Sequence, residues 1–299
     1  MSDELLTKII PSLVTLLSAE AEIQYVALSY VCSILKQFTI PFAGSYKVRL
    51  FELRRTFWRE VCFQSFFCKY NDPSYVKYQK LEVLVMLVTE ENVSDVILEL
   101  KEYSGEVDIE FARKAIRAIG ACALKVRSHA NQCVGALLHI VETRVNYAVQ
   151  EAMIVMKDMF RCFPGEYEST IGSLCLSLTS LDEPEAKHSL IWILGEYAER
   201  IDNVLDIVKS FVDGLVDEPV TVQLQLLTTT VKLFLKCPSE DSKMIVQKIL
   251  SFATNDSEHP DLRDRAYVYW RLLSHSSGTA ALVVSSEVPM PMTSHDLQV

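Results

Sequence analysis

Glycine and proline are scarce, 9 and 10 of 299 residues, where ordinary usage of about 12% for the pair would give nearly twice as many. So few turn formers imply long elements, and helices are the expectation. Long apolar runs are missing too. The longest are short stretches such as Val83 to Val88, against the roughly 18 residues a membrane-spanning helix requires. The N-terminus carries Asp3 and Glu4 where a secretory signal is basic, so the chain reads as soluble and intracellular. The eight cysteines (32, 62, 68, 122, 133, 162, 175, 237) never form a C-x-x-C pair, and in such a chain they read as reduced, mostly buried thiols.

Chemistry-bearing motifs are also absent. There is no G-x-G-x-x-G or G-x-x-x-x-G-K-[ST] to cradle a phosphate, and no G-x-S-x-G nucleophile turn. The six histidines (129, 139, 188, 259, 275, 295) show no metal-ligand spacing with one another or with cysteine. The sequence thus offers no catalytic, cofactor-binding or metal residues, and the reading is a protein that is not an enzyme and needs no cofactor. Adjacent acids at Glu90-Glu91, Asp182-Glu183 and Asp217-Glu218 stand at helix starts, where capping is the expected role. Glu196 and Arg200 lie four apart and read as a local salt bridge, with a partner-binding patch as the alternative. Trp192 and Trp270 sit in apolar runs and are expected in the core.

What is present is hydrophobicity, 49% of residues, and acidity, a formal charge of −10. That composition excludes disorder and low complexity. The charge is uneven: residues 36–69 hold seven basic residues against Glu52 and Glu60, while residues 71–299 hold 21 basic and 33 acidic residues. An acidic body of this kind does not neutralise a phosphate backbone, so nucleic acid is not an expected partner.

The strongest signal is a repeat. Six segments are alike, ending at Tyr78, Ala115, Ala152, Ser189, Leu226 and Ala266, with spacings of 37, 37, 37, 37 and 40 residues. Proline precedes four of them, in Asn71-Asp72-Pro73, Asp182-Glu183-Pro184, Asp217-Glu218-Pro219 and His259-Pro260. Proline at a first helical turn loses no hydrogen bond, and acids there favour the positive end of the helix dipole. Apolar residues then recur at helical spacing, as in Val149, Ala152, Met153, Met156, Met159 and Phe160. A second apolar run follows, for example Cys133, Leu137, Leu138 and Val141, or Ile171, Leu174, Cys175 and Leu178. The unit is therefore a pair of antiparallel helices, which cannot bury its apolar faces alone and must stack on its neighbours. The fold class is all-α, a HEAT/armadillo-like α-solenoid, because the tetratricopeptide pattern of Trp, Leu-Gly and Tyr is missing.

One region breaks the rhythm. Tyr25 and Tyr75 stand in comparable contexts yet are 50 residues apart, and the surplus falls in the basic island. Lys47 to Phe67 mixes Arg49, Arg54, Arg55 and Arg59 with Leu50, Phe51, Leu53, Phe57, Trp58, Phe63 and Phe66. Two readings stand: a basic amphipathic helix at a membrane surface, or a solenoid helix with an inserted loop or foreign segment.

Longer runs carry a resemblance. Lys69-Tyr70-Asn71-Asp72-Pro73-Ser74-Tyr75-Val76-Lys77, Leu100-Lys101-Glu102-Tyr103, Val145-Asn146-Tyr147-Ala148-Val149-Gln150-Glu151-Ala152, Ile191 through Asn203, Val222 through Leu227 and Asp261 through Leu273 are similar to beta-adaptin, the large beta subunit of the heterotetrameric clathrin adaptor complexes. The likeness covers residues 8–35 and 66–290, and residues near 38–62 match nothing in the family. The resemblance implies a trunk fragment that scaffolds coat assembly for vesicle-mediated intracellular transport and cargo sorting. It implies the C-terminal part of the trunk, cradling the N-terminal domain of the medium chain and touching the second large chain. It also implies contact with clathrin only indirectly, since hinge and appendage would follow Val299, and peripheral, cytoplasmic attachment through the complex to Golgi, endosomal or plasma-membrane coated vesicles. No family site residue transfers, so partner-binding residues stay unassigned. The rival reading is a generic HEAT scaffold of the phosphatase-regulatory or nuclear-transport type, marked by Trp/Phe-lined clefts between helix pairs. The expected organisation is a solenoid over 1–274 with an atypical insertion near 38–62, then a poorly structured tail over 275–299. Uncapped end repeats leave apolar surface open.

Overall fold

The computed structural model describes residues 12–13, 15–39, 63–177 and 181–286. Among them stand thirteen α-helices: α1 (Ala21–Thr39), α2 (Ser74–Leu87), α3 (Val93–Tyr103), α4 (Ile109–Lys125), α5 (Ala130–Glu142), α6 (Asn146–Cys162), α7 (Ile171–Leu176), α8 (Pro184–Glu196), α9 (Val204–Asp213), α10 (Val220–Lys236), α11 (Glu240–Ser251), α12 (Pro260–His275) and α13 (Ser277–Val284). They fall into two compact units, Met1–Leu137 and Leu138–Val299.

The six repeat segments of the sequence lie in α2, α4, α6, α8, α10 and α12, and each is followed by a second helix. The fold is the expected α-solenoid of helix pairs. Pro184 and Pro260 open α8 and α12, and Pro73 and Pro219 stand immediately before α2 and α10. Small residues sit where first helices meet: Ala112, Ala115, Ala152, Ala186 and Ala266 are fully buried. In the last interval, the one of 40 residues, a π-helical turn at Phe252–Asp256 separates α11 from α12. Its wider turn takes up part of the surplus.

In the first unit, α1 packs on α2 and α2 on α4, with α3 against α4. Tyr25 meets Tyr75 edge-on at 5.6 Å, Gln79 Nε2 lies 2.9 Å from Cys32 Sγ, and Lys36 pairs with Glu82 at 2.6 Å. So α1 is a repeat neighbour of α2 although 50 residues separate the matched tyrosines. The insertion read near 38–62, with its arginines, lies outside the described residues from 40 onward. At its described end the chain turns inward, with Phe66 buried in a 3-10 turn over Phe63–Phe66.

In the second unit, α6, α8, α10 and α12 pack in succession; α9 and α11 lie against α10, and α13 against both α10 and α12. The tail expected to lack regular structure from 275 opens instead with α13, whose Ser276 side chain accepts a hydrogen bond from Thr279 N. Residues 287–299 lie outside the described residues.

Candidate functional site

Several polar side chains in both units bridge neighbouring repeats. Near the start of one first helix, a lysine reaches the loop before the next. Lys77 of α2 meets Glu106 at 2.6 Å, and Lys187 of α8 meets Glu218 at 2.5 Å. At the other end the direction reverses. Lys125, last residue of α4, donates to the carbonyls of Val85 (2.8 Å) and Met86 near the end of α2. Lys236, last residue of α10, donates to the Glu196 carbonyl that ends α8. The two lysines stand three 37-residue periods apart. At the intermediate α6–α8 junction, Tyr197 OH reaches the Phe160 carbonyl at 3.4 Å, with the rings 5.3 Å apart. These bonds answer the last carbonyls of a helix, which have no partner inside it.

Two expectations are corrected by this arrangement. Glu196 and Arg200 do not pair with each other, because α8 ends at Glu196 and a 3-10 turn follows over Ala198–Arg200. Glu196 turns to Lys232 at 2.6 Å and Lys236 at 3.7 Å, and Arg200 meets Glu168 at 3.1 Å. Nor do the paired acids cap. Glu183, the residue before α8, makes no side-chain cap, and Glu218 pairs with Lys187. Glu90 and Glu91 are exposed in the turn before α3. Side-chain capping is done by Asp108, which accepts from Phe111 N, by Ser239 in a capping box with Ser242, and by Ser276.

The titrating groups fit a structural role. Burial works against ionised Glu196, but Lys232 and Lys236 outweigh it and hold the carboxyl below its usual range. Burial, aided by Lys157, lowers the pKa of His188 from 6.5. Both shifts make stability fall as the pH falls. A carboxylate with a depressed folded pKa contributes stability above its unfolded pKa, lost as pH falls through the folded one. A histidine held neutral costs stability once the unfolded chain takes up protons, below about pH 6.5. Urea midpoints of the chain are therefore expected to fall from pH 7 to 5 and again below pH 4. His188→Gln should flatten the first limb and Glu196→Gln the second.

Three cysteines, Cys32, Cys122 and Cys133, are fully buried, while Cys68, Cys162, Cys175 and Cys237 are half-buried; Cys62 lies outside the described residues. Burial pushes Cys32, Cys68, Cys122 and Cys133 up to about 12. A thiol held protonated is a poor nucleophile. Iodoacetamide at pH 8 should leave these four unmodified in the folded chain and alkylate them in urea, read by mass spectrometry.

Among the described residues no group of three His, Cys, Asp or Glu side chains is placed to hold a metal ion, and no helix is long and apolar enough to cross a membrane. Two open clefts lie along α12. One cleft of about 460 Å³ is lined by Leu224, Asp261, Asp264, Arg265, Val268 and Tyr269. A second, of about 490 Å³, is lined by Tyr267, Trp270, Arg271, Ser274 and His275. Trp192 is half-buried in α8, but Trp270 is exposed, against the expectation of core packing for both. The aromatic cleft is built from one helix rather than between helix pairs, so it lacks the mark set for the rival scaffold reading.

A stack of helix pairs joined in part by polar side chains that bridge neighbouring repeats belongs to the α-solenoid class. Residues 1–277 match the family described as Adaptin N terminal region, and the chain belongs to the adaptin family. It is 51% identical over 98% of its length to the AP-1 complex subunit beta-1 of Mus musculus and 50% over 96% to the AP-1 complex subunit beta of Dictyostelium discoideum, covering 29% of each. It is 37% identical over 93% of its length to the AP-2 complex subunit beta of Schizosaccharomyces pombe, covering 39% of it. The chain thus spans about three tenths of the length of the AP-1 relatives. A chain of a homology model of the full-length AP-3 complex in an intermediate open conformation superposes with a TM-score of 0.59 at 15% identity, over 90% of this chain and 49% of that one, which bears on the fold. The family match corrects one expectation: it places the chain in the N-terminal part of the beta subunit, not in a C-terminal part.

Proposed function

We propose that the chain serves as a trunk segment of the large beta subunit of a clathrin-associated adaptor complex, scaffolding coat assembly in vesicle-mediated protein transport. The observation that carries this reading is the 51% identity to an AP-1 beta subunit sustained over 98% of the chain. The repeat stack supports it, since a solenoid offers extended binding surface rather than a reaction vessel. In this reading the array through residue 274 is the scaffold and the segment near 38–62 an addition to it. Its partners are the other adaptor subunits, the medium chain through its N-terminal domain and the second large chain. Attachment to Golgi, endosomal or plasma-membrane coated vesicles is peripheral and runs through the assembled complex, with clathrin reached only through it. The chain performs no catalysis.

Co-expression with the N-terminal domain of an adaptor medium chain tests the reading. A complex that co-elutes through size exclusion is expected, both with the full chain and with residues 38–62 removed. Separate elution of the two proteins in both cases, with the chain folded by circular dichroism, would sink it.

A further inference from the structure

One tyrosine is presented differently from the rest. Tyr70 is 91% exposed, against 62% or less for the other exposed tyrosines among the described residues, and those, Tyr25, Tyr30, Tyr75 and Tyr267, lie inside α1, α2 and α12. Tyr70 stands outside any helix, in the turn that leads into α2. That turn is pinned. Asp72 N donates to the Lys69 carbonyl at 3.1 Å, Lys69 N donates to Asp72 Oδ2 at 2.8 Å, and the same carboxylate is anchored on buried Lys80 at 2.6 Å. The tyrosine between them is thus held out in solvent, where an enzyme reaches its hydroxyl without unwinding a helix. Both α1 and α4 pack against α2, so the turn belongs to an interior repeat.

The surroundings of the phenol indicate which modification it suits. Lys77 Nζ lies over the Tyr70 ring, 6.0 Å from its centre. Lys77 is itself buried, 7% exposed, and its ammonium donates to Glu106 Oε2 at 2.6 Å. An ammonium carries three N–H donors, so the bond to Glu106 leaves capacity for a second anion. Lys69, the residue before the tyrosine, is exposed and adds a further positive charge beside it. A phosphate on the phenolic oxygen brings a charge of about −1.5 to −2, and the flexible four-carbon stem of Lys77 lets the ammonium follow it.

We propose that Tyr70 is a phosphorylation site for a protein tyrosine kinase, and that Lys77 receives the phosphate while keeping Glu106. In the transfer the phenolic oxygen of Tyr70 bonds to the γ-phosphorus of ATP and the bond from that phosphorus to the β–γ bridging oxygen breaks. The phenol proton passes to the catalytic base of the kinase, and ADP leaves. The product gathers three segments on one ammonium: the turn at residue 70, α2 through Lys77 itself, and the loop before α4 through Glu106. Charge-assisted hydrogen bonds are the strong ones, so the modification braces the seam between the repeats that begin with α2 and α4.

The full 299-residue chain, incubated with Mg-ATP and the catalytic domain of a broad-specificity tyrosine kinase and read by site-resolved mass spectrometry, tests the site. Tyr70 should take up phosphate ahead of the tyrosines inside helices, and Tyr70→Phe should abolish that first product without changing the circular dichroism spectrum. Phosphorus NMR of the phosphorylated chain between pH 4.5 and 8 tests the acceptor. The second ionisation of a free phosphotyrosine falls near pH 6, and an opposite charge within reach should lower it by about one unit. Lys77→Met should return it to the free value, and Glu106→Gln, which leaves the ammonium to the phosphate alone, should lower it further. The proposal is overturned by a chain that stays unphosphorylated, by phosphate on helical tyrosines in preference to Tyr70, or by a midpoint no lower in the parent than in Lys77→Met. Should Lys77→Met fail to fold, Glu106→Gln decides, and a midpoint that it leaves unmoved overturns the proposal.

Discussion

Asp72→Ala is expected to destabilise the first unit by about 3–5 kcal/mol, the cost of removing one partner from a buried ion pair. Lys80 is 0% exposed, and its ammonium is held by Asp72 Oδ2 at 2.6 Å and by the Phe67 carbonyl at 3.3 Å. Without Asp72 a full positive charge remains among α2 side chains with one neutral acceptor. The carboxylate also receives Lys69 N at 2.8 Å, so it fixes the loop that leads into α2 as well as the lysine. Adding Lys80→Met separates these two contributions. If the stranded charge is the main cost, the double variant recovers most of the stability lost in Asp72→Ala. Equal instability of single and double variants in urea titrations would assign the loss to the loop bond instead.

Gly195→Ala is expected to cost about 2–3 kcal/mol, towards the upper end of overpacking penalties. The sign is the informative part, because by helix propensity the same change in an open helix stabilises by about 1 kcal/mol. A methyl group at residue 195 would lie 2.8 Å from Thr229 Oγ1, 3.1 Å from Cγ2 and 3.2 Å from the Thr229 Cα. The side chain can rotate away only by giving up its hydrogen bond to the Ile191 carbonyl at 2.9 Å, and the Cα cannot move without shifting α10. Thr229→Ala in the Gly195→Ala background should restore part of the loss but not all of it, since the backbone approach persists. A Gly195→Ala chain as stable as the parent in thermal melts would show that α8 and α10 can slide apart freely.

The repeat was legible because its punctuation is local. Proline and acid mark the start of a first helix by their effect on that helix's own first turn, and α2, α8, α10 and α12 begin where the residues place them. What could not be read is what depends on the neighbouring repeat. Glu196 and Arg200 have the spacing of a salt bridge, but the helix ends between them and each finds its partner some 30 to 40 residues away, in Lys232 and Glu168. The acids at helix starts satisfy every sequence rule for capping, yet Glu218 is claimed by Lys187 from the preceding repeat. Trp270 in an apolar run looks like core by composition. Its exposure is a property of the fold.

The lysines that answer the last carbonyls of a preceding helix also set an order in time. The end of α2 is completed by Lys125 and the end of α8 by Lys236, each about 40 residues later in the chain. During synthesis a first helix emerges with its final turn unfinished and stays so until the next first helix has been made to its last residue. The repeats that begin with α2 and α8 are therefore completed one repeat late. Lys125→Met and Lys236→Met would lengthen that lag without altering any residue of the helices they complete.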